Sequence, residues 1–200
     1  LFASVVRVFS MKFHKMINVY KNVYAFITPS EFLKKKLSLN GFEEKRIHCI
    51  PTFTASKTTI GKQQIGSYGL YFGRVTEEKG VETVIKAYEK LPEYTVKIMG
   101  DDTTDEAKRL KKYVENHKMK NVEFLGFKSG AELENVIKGA RFTLIPSIWY
   151  DNLPNTALES FQYSKPVIAS NIGSLPELVI DGENGYLLSI GLSYCVSAIY

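Results

Sequence analysis

Cysteine, tryptophan and histidine are scarce in this chain, at two, one and three residues. Cys49 and Cys195 stand far apart and match no metal-ligand spacing, which argues against a disulfide framework and a zinc site and makes a reducing, intracellular setting the default expectation. His14, His48 and His117 share no spacing, and none is a credible general base. No apolar run approaches the length of a membrane span. The opening LFASVVRVFSMKFHK carries Arg7 inside its apolar stretch and has no small-residue cleavage site, so it does not read as a signal peptide. With Leu1 where an initiator methionine would stand, a fragment of a longer chain is expected. No G-x-G-x-x-G follows any candidate strand, which removes an NAD-binding domain of the usual kind.

What is present is an ordinary globular composition, 44% hydrophobic and 24% charged, with a formal net charge of +5. Part of the excess lies early, in Lys12, Lys15, Lys21, Lys34, Lys35, Lys36, Lys45 and Arg46. A solvated basic face explains it most simply, with attraction to anionic headgroups or polyphosphates as the sharper alternative. No nucleic-acid recognition motif accompanies it.

From Tyr68 onward, short β-branched or aromatic runs alternate with helical patterns. The expected strands are Leu70–Phe72, Thr95–Met99, Val122–Leu125, Phe142–Ile145 and Pro166–Ala169. Val81, Val84, Ile85, Tyr88 and Leu91 repeat at helical spacing between the first two, and weaker stripes fill the later crossovers. Five strands joined by helices predict an α/β fold, a Rossmann-like parallel sheet with helices on both faces. Upstream, the pattern predicts a helix around Phe9–Tyr20, a strand at Tyr24–Thr28, a helix capped by Ser30, and a strand at Arg46–Ile50. The stretch 51–67 is polar and aperiodic and reads as a linker, while 189–200 stays unassigned.

Ligands of an open α/β sheet bind beyond the carboxyl ends of its strands, near helix N-termini. Gly73 ends the first strand, where a glycine lets backbone approach an anion, and Arg74 with Lys79 can flank two phosphates. Taken alone, that pair reads as two solvated cations. Asp151 and Glu159 have seven residues between them, spanning a loop and a helix start at Pro154. Ala157, Leu158 and Phe161 are expected to be buried, turning Asn155 and Glu159 to another face. One carboxylate can accept both hydroxyls of a ribose and the other can orient a sugar ring, while the amides of Leu153, Asn155 and Thr156 remain for phosphate oxygens. Pro154 offers none.

The segments FGRVTEEKG, PSIWYDNLPNTALES and KPVIASNIGSLPELVIDGENGYLL resemble retaining glycosyltransferases of the family-4 type, which have the two-domain GT-B fold. The resemblance covers 68–188 and extends upstream through FITPSEFLKKKL and RIHCIPTF, which look like the end of the acceptor-side domain. It implies that 1–50 is a remnant of that domain, 51–67 the interdomain linker and 68–188 the nucleotide-sugar donor domain. It also implies a retaining hexosyltransferase, inactive as this fragment alone, in which Arg74 and Lys79 bind the donor diphosphate in place of a metal. Asp151 would contact the donor sugar, Glu159 hold the ribose, and Leu125 and Phe127 flank the base. Gly73, Asn152, Leu153, Asn155 and Thr156 complete the implied donor site. No cofactor or metal is expected; the acceptor would be a glycan or lipid-linked sugar in polysaccharide synthesis, in the cytoplasm or at its membrane face. The rival reading is a nucleotide-sugar-binding or regulatory module without turnover. Two positions depart from the family: Asp151 stands where glutamate is usual, and Asn152-Leu153-Pro154 where Gly-Phe-Gly is common.

Three other features suggest structure rather than chemistry. Gly100-Asp101-Asp102 reads as a turn with Asp102 or Thr103 capping a helix, in preference to a Mg²⁺ site. Trp149, with Ile148 and Tyr150, reads at least as well as core as it does as a pocket wall. Ser147 has no base partner nearby in sequence and is no nucleophile candidate.

Overall fold

The structure, a computed structural model, describes residues 2–17, 19–54 and 66–189. Eight strands and seven α-helices alternate along them: α1 (Phe2–Met16), β1 (Phe26–Thr28), α2 (Glu31–Leu39), β2 (Ile47–Cys49), β3 (Tyr68–Phe72), α3 (Val81–Glu89), β4 (Thr95–Met99), α4 (Asp105–Asn116), β5 (Val122–Gly126), α5 (Gly130–Gly139), β6 (Ala140–Ile145), α6 (Asn155–Gln162), β7 (Val167–Ser170), α7 (Leu175–Leu178) and β8 (Gly185–Leu188).

β1 and β2 form a two-stranded parallel sheet, and the remaining strands form a six-stranded one in the order β5-β4-β3-β6-β7-β8. Every pairing in the larger sheet is parallel. Counted from β3, that order is 3-2-1-4-5-6, in which the chain reverses direction across the sheet between β3 and β6 and opens a crevice at their carboxyl ends.

Alternation along β3 sends Tyr71 into one core and Leu70 and Phe72 into another. The first is roofed by Val81, Val84, Ile85 and Tyr88 of α3 and by Ala107, Leu110 and Val114 of α4. The second takes Ile137 of α5. A third core joins Ile145, Val167 and Ala169 to Ala157 of α6 and Leu175 of α7. The sheet is therefore covered on both faces, as its near-continuous apolar strands require.

Three expectations need correction. The sheet has a sixth strand, Gly185–Leu188, paired with β7 along four residues. Its four-residue run lacks the alternation that marks a strand, and edge pairing alone defines it. The cap of α4 is Thr104, whose hydroxyl accepts from the Ala107 N–H at 3.1 Å, and not Asp102 or Thr103, because Thr103 is turned back to donate its N–H and hydroxyl to Asp101 while Asp102 pairs with Lys111. In α6 the fully buried residues are Ala157 and Ser160. Ser160 is accommodated because it accepts from the Thr143 hydroxyl and donates to Thr156 O, while Leu158 and Phe161 are half-buried. The expected linker falls largely on 55–65, and the expected tail on 190–200, both outside the described residues.

Candidate functional site

The turn after β3 is short. Gly73, at φ 149°, donates to Met99 O at 2.9 Å, and the Tyr71 hydroxyl donates to Arg74 O at 2.5 Å. Burial pushes the Tyr71 phenol well above its usual range, and the negative charge of Asp151 adds to the effect. Arg74 is exposed at the mouth of the crevice. One 3₁₀ turn, Glu77–Lys79, then leads through Gly80 at φ 67° into α3. A Cβ at Gly80 would lie 2.0 Å from Pro146 O, so glycine is what lets this turn close against the loop after β6. Ile148 completes the contact by donating its N–H to Glu78 O at 3.0 Å.

The loop after β6 turns Asp151 inward. One carboxylate oxygen lies 2.5 Å from Lys79 Nζ, and the other accepts from the Ser147 hydroxyl at 2.5 Å. The two ion-paired side chains are only 20% and 14% exposed. Ser147 thus does have an acidic partner, four residues on, and it holds that carboxylate in place. Ile148, Trp149 and Tyr150 bulge outward at 47%, 65% and 55% exposure, which overturns the core reading: with Ser147 and Asp151 drawn in, the residues between them must loop out.

Asn152 and Leu153 are not arranged as expected. The Asn152 side-chain amide oxygen accepts from the Ser30 hydroxyl at 2.8 Å, so the side chain faces α2. Leu153 is buried at φ 53°, a left-handed conformation that costs a branched residue about 1 kcal/mol or more. Its N–H is taken by the Ser174 hydroxyl at 2.6 Å and is therefore unavailable to a phosphate. The same hydroxyl donates to Asp151 O at 2.9 Å, and Gly173 makes room, since a Cβ there would sit 2.8 Å from that oxygen.

Beyond the loop, Asn155 and Thr156 open α6, and helix geometry leaves their amides without intrahelical partners. Glu159 lies one turn further on, half-buried, and burial raises the pKa of its carboxyl. Among the described residues, no ion pair compensates it. Leu125 is half-buried against the core, whereas Phe127 is 74% exposed beyond the end of β5. Among the described residues, no three His, Cys, Asp or Glu side chains gather as metal ligands.

Sequence reasoning discounted Ser147, weighing it only as a nucleophile, and missed Ser174 and Gly80. Ser-Leu-Pro at 174–176 was a legible helix start, but which loop Ser174 would hold was not.

A six-stranded parallel sheet covered by helices, with Lys79 and Asp151 paired beyond the ends of the two strands at its switch point, is a Rossmann-like α/β domain. Residues 56–193 match the family described as glycosyl transferases group 1, and the chain belongs to that family. It is 30% identical over 174 residues to an uncharacterised glycosyltransferase of Methanocaldococcus jannaschii, covering 82% of this chain and 40% of that one. It is 31% identical to glycogen synthase of Mycobacterium tuberculosis over 142 residues, 66% of this chain and 32% of the relative. Against these two relatives the chain spans 40% and 32% of their length. Among solved structures, a glycosyltransferase of Rickettsia africae superposes with a TM-score of 0.80 at 19% identity, over 91% of this chain and 54% of that one. Anabaena HepE, solved in complex with UDP-glucose, superposes with a TM-score of 0.78 at 22% identity over the same shares, 91% and 54%. Among the described residues no helix is long and apolar enough to cross a membrane.

Proposed function

We propose that this chain binds a nucleoside-diphosphate sugar and serves its transfer, with retention of anomeric configuration, to a glycan or lipid-linked acceptor, in the cytoplasm or at its membrane face. One observation carries the reading: the turn bearing Arg74 and Lys79 and the loop bearing Asp151 meet at the switch point of the sheet, with Lys79 Nζ 2.5 Å from the Asp151 carboxylate. The diphosphate lies against Arg74, Lys79 and the free amides of Asn155 and Thr156. Negative charge moves onto it as the carbon–oxygen bond breaks, and fixed positive charge placed there lowers the barrier. No metal is needed for that role. Asp151, oriented by Lys79 and Ser147, contacts the sugar hydroxyls. Glu159, costly to bury without partners, gains two hydrogen bonds from a ribose. Phe127 offers an exposed ring for the base. The UDP-glucose complex of the Anabaena fold neighbour supports this donor class, and the glycogen synthase relative supports a glycan acceptor.

The test is calorimetric titration of the chain with UDP, GDP and ADP, with and without EDTA, beside an Arg74→Ala/Lys79→Ala variant. The expected result is binding of one nucleotide that survives EDTA and is lost in the variant. Binding that needs a divalent cation, or that persists without the two cations, would refute the assignment.

A further inference from the structure

Among the described residues the two sheets share no strand pairing, yet α2 of the smaller one is tied to the loop that carries Asp151. The first turn of a helix exposes backbone N–H groups that need acceptors. In α2 the Ser30 hydroxyl accepts from the Leu33 N–H at 3.1 Å, as an N-cap serine does. The two preceding amides are satisfied from far along the chain: Glu177 accepts from the Glu31 N–H at 2.8 Å and from the Phe32 N–H at 2.6 Å, one carboxylate oxygen to each. Around this cap, Ser30 donates to Asn152, the Phe32 ring packs on Tyr150 with centroids 5.3 Å apart, and Lys36 Nζ lies 5.1 Å from the Tyr150 ring.

Glu177 belongs to α7, the helix whose Ser174 holds Asp151 O and the Leu153 N–H. One short helix therefore grips the backbone of the Asp151 loop at its start and the N-terminus of α2 a turn later. We propose that Glu177 is a positioning residue that fixes where the acceptor-side segment stands relative to Asp151. This inference rests on the transfer reading above. In sugar transfer the attacking hydroxyl must stand within a fraction of an ångström of its productive position, and a 1 Å error costs on the order of 100-fold in rate. A carboxylate meeting two N–H groups at a helix N-terminus, where the dipole favours negative charge, is a directional link suited to that task.

The test compares wild type, Glu177→Ala and Glu177→Gln in the full-length protein by amide hydrogen exchange, UDP titration and sugar transfer. Exchange at Glu31 and Phe32 should quicken about tenfold in the alanine variant. UDP affinity should stay within about twofold, because Ser174 still holds the donor-side loop, while transfer falls about tenfold or more, with acceptor KM rising ahead of donor KM. The glutamine variant, which keeps one acceptor oxygen, should fall between. Unchanged exchange would show that the cap is absent in solution. Faster exchange with undiminished transfer, or parallel loss of UDP affinity and transfer, would overturn the positioning role. A wild-type protein that neither binds UDP nor transfers sugar would overturn the transfer reading itself, and this inference with it.

Discussion

The turn after β3 and the loop after β6 leave neighbouring strands of one sheet at its switch point, yet they are built in different ways. The turn is one 3₁₀ turn closed by a glycine, and what it presents is charge: Arg74 exposed at the surface, Lys79 pointed inward. The loop presents one inward carboxylate, and holding it takes Ser147 from within, Gly173 and Ser174 from the turn that caps α7, Ser30 from the cap of α2 and Glu78 from the turn itself. Charge can be supplied by a local stretch of chain. Orientation has to be supplied by neighbours.

Removing charge from the turn should give the largest effect. Arg74→Ala should lower transfer by about 3 kcal/mol in the barrier, some hundredfold, by analogy with a lost oxyanion donor. Because Arg74 is exposed, its denaturation midpoint should not move. Near-normal turnover would mean that the turn contributes no catalytic charge.

Loosening the loop should act through the fold instead. Ser174 is fully buried, and Ser174→Ala strands the Leu153 N–H, so urea unfolding should show a loss of about 1–3 kcal/mol. A loss of turnover without any loss of stability would place Ser174 in contact with substrate and blur the contrast between the two segments.

Asp151→Asn tests the point where turn and loop meet. With its partner neutralised, Lys79 is free for phosphate, and the variant should bind free UDP more tightly by roughly 1 kcal/mol while transferring sugar more slowly. Weaker UDP binding would mean that the pair orients Lys79 rather than competing for it.

The smallest effect is expected at Glu159. Its pKa is raised in the folded state, so folding binds its proton more tightly than the unfolded chain does. Its contribution is most favourable below the unfolded pKa and is lost as pH rises through the raised value. Glu159→Gln should therefore raise the thermal midpoint slightly at neutral pH, with the gain shrinking on acidification, while UDP affinity drops. A lower midpoint at neutral pH would contradict the desolvation argument.

The difference between turn and loop also explains what could be read in advance. Apolar periodicity in α3, and the β-branched runs at Thr95–Met99 and Phe142–Ile145, report burial directly, and these elements appear where expected. The edge strand Gly185–Leu188 went unseen because its identity lies in its pairing with β7. The residue types of the turn put two cations after β3, whereas the spacing of Asp151 and Glu159 suggested two carboxylates without saying what would hold the first. Assigning the Leu153 amide to a phosphate failed because nothing local revealed Ser174 waiting for it.

By itself, then, the sequence determined an α/β chain with parallel strands, helices on both sides, and cations and carboxylates at strand ends. These follow from side-chain hydrophobicity and backbone preference, which act over a few residues. The tertiary structure alone decided that Lys79 meets Asp151 from 72 positions away, that Ser174 takes the Leu153 amide, and that Glu177 caps a helix 145 and 146 positions upstream. A hydrogen bond is directional and short, so its partners are chosen only once the packed sheet has brought distant segments within about 3 Å of each other.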